Sequence, residues 1–214
     1  MNYTKLIREY CKNNSGALFD VSKLKDTEFA EVPYKTLLKI LNRLEEEGLL
    51  STVSKGGYFI GEKPVDEELI FDEYVDDGKG MFVGYQLFND VGISDYVDCK
   101  IEIYTNNIKS KQKSVGQYLL KRVDLEFDDD IVDLIALLEI LDTGYSMKGC
   151  DFMAYKKTVD MLLKSYSDRG FEKIVKAIHY KYSTIKQLSE LLEANSIDNN
   201  CVDIFESTYK NLIR

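Results

Sequence analysis

The chain has 214 residues, 44% of them hydrophobic, with a formal charge of −9, four cysteines and a single histidine. No run approaches the roughly eighteen uninterrupted apolar residues of a membrane span, and residues 1 to 19 hold no apolar segment of signal-peptide type, so a soluble, cytoplasmic protein with no membrane partner is expected. Cys11, Cys99, Cys150 and Cys201 lack any C-x-x-C spacing and His179 stands alone, which argues against a zinc site, a disulfide framework or a histidine relay; neither metal nor cofactor is expected.

In chain order, "NYTKLIREYCKNN" places Tyr3, Leu6, Ile7, Tyr10 and Cys11 on one face of a first helix, which "SGAL" ends. "FDVSKLKD" predicts a short second helix with Asp20 as N-cap. The third helix follows Pro33, whose missing N–H costs nothing in a first turn. Its Leu37, Ile40, Leu41 and Leu44 recur at i, i+3, i+4 and i+7 as one apolar stripe, and Gly48 closes it. "LLSTVS" and "YFI" then flank "KGG", whose glycines suit a tight hairpin. Helix, helix, helix, hairpin is the order of a winged helix-turn-helix.

Pro64 in "GEKPVDEEL" marks a linker, which puts a domain boundary at Gly61 to Val65, with a winged domain over 1–62 and a larger domain over 66–214. Residues 1–62 carry nine Lys/Arg and nine Asp/Glu, so the entire −9 lies on the rest of the chain. An acidic body repels phosphate, and any nucleic-acid contact is therefore expected in the first sixty-odd residues.

The second domain reads as mixed α/β and rich in helix, giving an α+β protein overall. "DEELIFDEYVDD" and "MFVGYQLFNDVG" look helical, while "CKIEIYT" and "KRVDLEF", through Val123, Leu125 and Phe127, alternate as strands. "DIVDLIALLEILD" is apolar on nearly all sides and predicts a central buried helix. Amphipathic helices follow at Phe152 to Tyr166, Phe171 to Tyr182, Thr184 to Ala194 and Val202 to Ile213.

At about 100° per residue, Lys35, Lys39, Asn42 and Glu46 share a face of the third helix almost opposite its leucines. Lysine can meet a phosphate or guanine there, and asparagine can pair with adenine, as the exposed face of a groove-reading helix requires. Tyr34, Thr36 and Arg43 flank the face and Lys55 tips the hairpin, completing a candidate DNA-binding set. The alternative for all of these is the solvated face of an ordinary amphipathic helix.

"LNRLEEEGLLSTVSKGGYFIGEKP" resembles the end of the N-terminal winged domain of AbiEi-type antitoxins of bacterial type IV toxin–antitoxin systems. "GKGMFVGYQLFNDVGISDYVDCKIEIYTNN" is similar to the segment that opens their C-terminal domain, and the two matches together cover about residues 33 to 108. The resemblance implies a repressor of its own promoter whose larger domain counteracts a cognate nucleotidyltransferase toxin, with double-stranded promoter DNA and that toxin as partners and self-association on DNA as an option. Relatives often carry arginines in the first wing strand; this chain has Ser51, Thr52 and Ser54, with Lys55 alone.

Three further clusters stand out. Asp128, Asp129 and Asp130 could hold a hard cation but suit a helix N-terminus better. Asp124 and Glu126 have the spacing a nucleotidyltransferase uses for magnesium, without its Gly-Ser turn, so no catalytic residue and no enzyme activity is expected. Lys109, Lys111 and Lys113 in "NNIKSKQKS" gather in an expected loop, where they could meet phosphate or an acidic surface of a partner. A second reading of the whole chain is a sensory or protein-interaction module whose larger domain binds a ligand or partner.

Overall fold

The computed structural model describes residues 2–61 and 67–212, and for Asn211 and Leu212 the backbone only. Of the expected domain boundary at Gly61 to Val65, residues 62–65, Pro64 among them, lie outside the described residues.

The chain is mixed α/β with two small sheets. In the first unit, α1 (Tyr3–Asn13), α2 (Val21–Asp26) and α3 (Tyr34–Glu46) pack with strands β1 (Leu18–Asp20), β2 (Ser51–Ser54) and β3 (Gly57–Phe59), in sheet order β1-β3-β2. Asp20 caps α2 by accepting from the backbone N–H of Ser22 at 2.8 Å. Gly48, at φ +73°, lets the chain leave α3. The apolar stripe of α3 is buried along its whole length: Leu37, Leu41 and Leu44 are fully enclosed and Ile40 nearly so. They meet Ile7, Phe29, Leu50 and Tyr58 in a core of their own.

At the hairpin, Gly56 alone of the turn takes a positive φ, +73°, whereas Gly57 is already in β3. Its role is close approach, since a Cβ there would stand 2.9 Å from the Lys113 ammonium.

The second unit opens with α4 (Glu67–Tyr74), then β4 (Gly80–Val83), α5 (Tyr85–Asp90), β5 (Ile101–Thr105), β6 (Gln112–Val115) and β7 (Tyr118–Arg122). The sheet order is β4-β5-β7-β6, parallel only between β5 and β7. Five helices complete the unit: α6 (Asp129–Thr143), α7 (Phe152–Leu162), α8 (Asp168–Ala177), α9 (Tyr182–Ala194) and α10 (Cys201–Leu212). Eight buried residues of α6, from Ile131 to Leu141, make it the hub of the helical layer.

The sheet lies between two layers. Met81, Val83 and Tyr104 face α6 and its neighbours, while Ile103, Val115, Tyr118 and Leu120 face α4 and receive Leu18 and Val53 from the first unit. The two units therefore share apolar contact.

Several elements differ from those read in the sequence. "MFVG" is strand β4, with only "YQLFND" helical; both faces of the strand are covered, so it shows no alternation. The ladder strand before α6 is Tyr118–Arg122, and Val123–Phe127 alternates in burial outside any ladder. The lysine run does not stay a loop, because its second half is β6.

Candidate nucleic-acid interface

The buried stripe of α3 fixes which of its residues point out. Tyr34, Lys35, Lys39, Asn42 and Arg43 are exposed and Thr36 is half-buried. Among the described residues, no ion pair or side-chain hydrogen bond involves Lys35, Lys39, Asn42, Arg43 or Lys55. A face of a rigid helix thus presents two ammonium groups and an amide with their donors unspent.

The acidic end of the same helix is used differently. The Glu45 carboxylate accepts from the backbone N–H of Thr52 at 3.0 Å, and Glu47 pairs with Arg8 at 2.7 Å. These local contacts leave Glu46 as the one glutamate of the three without a partner among the described residues.

The three lysines Lys109, Lys111 and Lys113 are divided. Lys113 reaches Asp20 at 2.6 Å, with only 9% of its side chain and 17% of the aspartate's exposed. Lys109 pairs with Asp26 and donates to the Ser22 carbonyl at 2.9 Å. Lys111 is exposed and unpaired. The acidic side chains that Lys109 and Lys113 meet belong to this chain's own first unit, Asp26 in α2 and Asp20 at the end of β1, and Asp20 and Lys113 stand 93 positions apart.

A third contact joins the units from the other side of α2: Lys23 donates to Glu73 at 3.0 Å and to Asn107 at 2.7 Å. Burial would raise the Asp20 carboxyl, yet the hydrogen bonds from Lys113 and Ser22 outweigh it and hold the group below its ordinary value. Together these contacts and the shared apolar layer fix α3 relative to the second unit.

Between α3, the β2–β3 hairpin and β6 lies a cleft of about 770 Å³. Tyr34, 52% exposed, stands at its edge. A smaller cavity of about 270 Å³ lies among α6, α7 and α9, lined by Tyr145, Phe152, Tyr155, Lys156 and Gln187. The hydroxyl of Tyr155 is buried without a hydrogen-bond partner.

The carboxylate clusters resolve into local structure. Asp128 caps α6, accepting from the Ile131 N–H at 2.9 Å, with Asp129 and Asp130 in the first turn. Asp124 pairs with Arg122 at 2.7 Å and both it and Glu126 lie beyond the end of β7. Among the described residues, no group of three or more His, Cys, Asp or Glu side chains could hold a metal ion, and no helix is long and apolar enough to cross a membrane.

Sequence reasoning passed over one polar centre. Tyr104 and Tyr180 both donate to Glu139 Oε1, at 3.0 and 2.9 Å. Burial raises the Glu139 carboxyl above its usual value against those two hydrogen bonds. A lone glutamate within an apolar helix was the available signal, since such a residue needs partners to be buried.

No protein-family model matches the chain, and no curated protein matches it. Among solved structures, the chain is similar to the crystal structure of the RV2827C protein from Mycobacterium tuberculosis, at 13% identity and a TM-score of 0.42 over 97% of this chain and 80% of that one.

Proposed function

We propose that the chain is a DNA-binding regulator of the antitoxin type, in which the first unit is a winged helix-turn-helix that represses its own promoter and the second opposes a nucleotidyltransferase toxin. The observation that carries the DNA half is the exposed face of α3, where Lys35, Lys39 and Asn42 keep their donors unspent opposite a fully buried stripe. The order α1, β1, α2, α3, β2, β3 around a β1-β3-β2 sheet supports it, because in that arrangement α3 is the recognition helix and the hairpin is the wing. Asn42 would pair with a base edge, Lys35 and Lys39 would meet bases or phosphates, and Tyr34, Thr36, Arg43 and Lys55 would fix the register on the backbone. The antitoxin half rests on the sequence resemblance.

Fluorescence-anisotropy titration of the duplex directly upstream of the gene tests the first half. Tight, salt-dependent binding that Lys35→Ala/Lys39→Ala/Asn42→Ala abolishes is the expected result; affinity equal to that for unrelated DNA would discard it. Co-expression with a nucleotidyltransferase encoded alongside tests the second half, with rescue of growth expected.

The cavity of Tyr145, Phe152 and Tyr155 favours a second reading, a sensory module whose larger unit takes a small ligand and whose wing touches no DNA. Thermal stabilisation by a small molecule, without promoter binding, would select it.

A further inference from the structure

Of the eight large hydrophobic side chains exposed among the described residues, four lie on α7 or in the turn after α6: Tyr145, Phe152, Met153 and Met161, each more than half exposed. Apolar surface left in water in one place marks a binding site more often than scattered residues do. Tyr145 and Phe152 stand at the edge of the cavity of about 270 Å³ among α6, α7 and α9, over a lining of Leu141, Val159 and Leu191. The Tyr145 ring lies between Phe152, at 5.0 Å between centroids, and Tyr155, at 4.4 Å, tilted by 33° and 45°. Rings set this way form a ladder that a further flat ring can join, not the crossed walls of a box around a cation.

The charges beside the rings are in an order. Along the cavity α7 presents Phe152, Lys156 and Asp160, one turn apart. Four other lysines with an acid one turn away on a helix are paired with it: Lys5 with Glu9, Lys176 with Glu172, Lys186 with Glu190 and Lys210 with Glu206. Lys156 and Asp160 are not, and neither has another ion pair or side-chain hydrogen bond among the described residues. All four paired acids are glutamates; an aspartate carboxylate is one methylene shorter and stops short of the ammonium.

An aromatic face, a cation and then an anion are complemented by a flat ring, a carboxylate and an ammonium, which is the layout of an aromatic amino acid in its zwitterionic form. A nucleotide would set its phosphates against Asp160, and an aromatic amine would set its charge against Lys156. Gln187, half-buried on α9 and also unpaired, can accept from an indole N–H or a phenol O–H. About 270 Å³, just under the roughly 300–1,000 Å³ of drug-sized sites, holds one ring system with a short polar chain. Resting on the reading of the second unit as a sensory module, we propose that this cavity binds a free aromatic amino acid, with its ring against Tyr145 and Phe152, its carboxylate on Lys156 and its ammonium on Asp160.

The chain contains no tryptophan, so the fluorescence anisotropy of free L-tryptophan titrated with the full chain, excited beyond the tyrosine band, reports binding without a protein background. Tryptamine, which lacks the carboxylate, and indolepropionate, which lacks the ammonium, are titrated beside it against the parent and two variants at exposed positions, Lys156→Met and Asp160→Asn. A saturable rise with tryptophan, reversed by L-phenylalanine, is expected. Asp160→Asn should weaken tryptophan and tryptamine several-fold and spare indolepropionate, while Lys156→Met should weaken tryptophan and indolepropionate and spare tryptamine. If the three indoles bind the parent alike and neither variant changes any of them, the amino-acid proposal is overturned and the sensory reading stands. No rise with any of the three overturns the proposal too, and an unfolding temperature unmoved by other flat ligands, adenosine and indole among them, removes the sensory reading with it.

Discussion

The charged groups of α3 and those around α6 are handled in opposite ways. On α3, Lys35, Lys39 and Asn42 are exposed and, among the described residues, form no ion pair or side-chain hydrogen bond. Around α6, Glu139 takes two tyrosine hydroxyls, and Asp142 takes Lys181 at 3.0 Å and Thr184 at 2.6 Å. Groups of the second kind hold the fold together, since a buried carboxylate without partners is costly. Groups of the first kind add little to stability and are available to something outside. The contacts between the units fall between: Lys113 is spent on Asp20, and the pair positions the unspent lysines beside it.

The comparison breaks hardest at Glu139. Glu139→Leu would leave the Tyr104 and Tyr180 hydroxyls buried and unpaired, at a cost of about 3 kcal/mol in urea unfolding. Glu139→Gln keeps an acceptor for both. Because burial raises the Glu139 carboxyl in the folded state, the group's contribution is fully present below the ordinary glutamate value of about 4.3 and is lost as pH rises through the raised one. Stability measured against pH should therefore shift in favour of Glu139→Gln as the pH rises above about 4.3.

Next in size is the contact between units. Lys113→Met keeps the length of the side chain but strands Asp20, which costs about 2 kcal/mol, less than for a fully enclosed pair because the aspartate reaches some solvent. Asp20 is held below its ordinary value, so here the sign is reversed: its contribution is present above about 3.9 and is lost as pH falls through the depressed value. The advantage of the parent over Lys113→Met should hold from neutral pH to about 4 and shrink below it. A difference independent of pH would mean that packing, not charge, holds the units together.

These long-range contacts are also where the sequence was least legible. The stripe of Leu37, Ile40, Leu41 and Leu44 and the cap at Asp20 could be read directly, because a helix records its buried face every three or four residues and its cap within three. β1 could not, as three residues are too few to establish a period of two. β4 was mistaken for helix because "MFV" has no polar face to mark the pleat. Val123, Leu125 and Phe127 alternate in burial without a partner strand, so a true pattern led to the wrong element. At the candidate interface the exposed set on α3 was visible from helical projection alone. The cleft was not, because nothing local links "NNIKSKQKS" to Asp20 at the end of β1; the lysine run suited a phosphate, an acidic surface or plain solvent alike.

The smallest effect discriminates most sharply between the two kinds of charge. Lys39 is exposed, unpaired among the described residues and in the middle of α3, so Lys39→Ala removes no ion pair or side-chain hydrogen bond and introduces the best helix former. Its unfolding free energy should stay within about 0.5 kcal/mol of the parent, with any change towards greater stability. If Lys39 were part of the fold's own electrostatics, the variant would be measurably weaker in urea at low salt and the loss would vanish at high salt. Unchanged stability combined with weakened promoter binding would show that this lysine's charge serves an outside anion. Unchanged stability and unchanged binding would return α3 to the class of merely solvated helix faces, and would leave the charges spent on contacts within the protein as those with an assigned task.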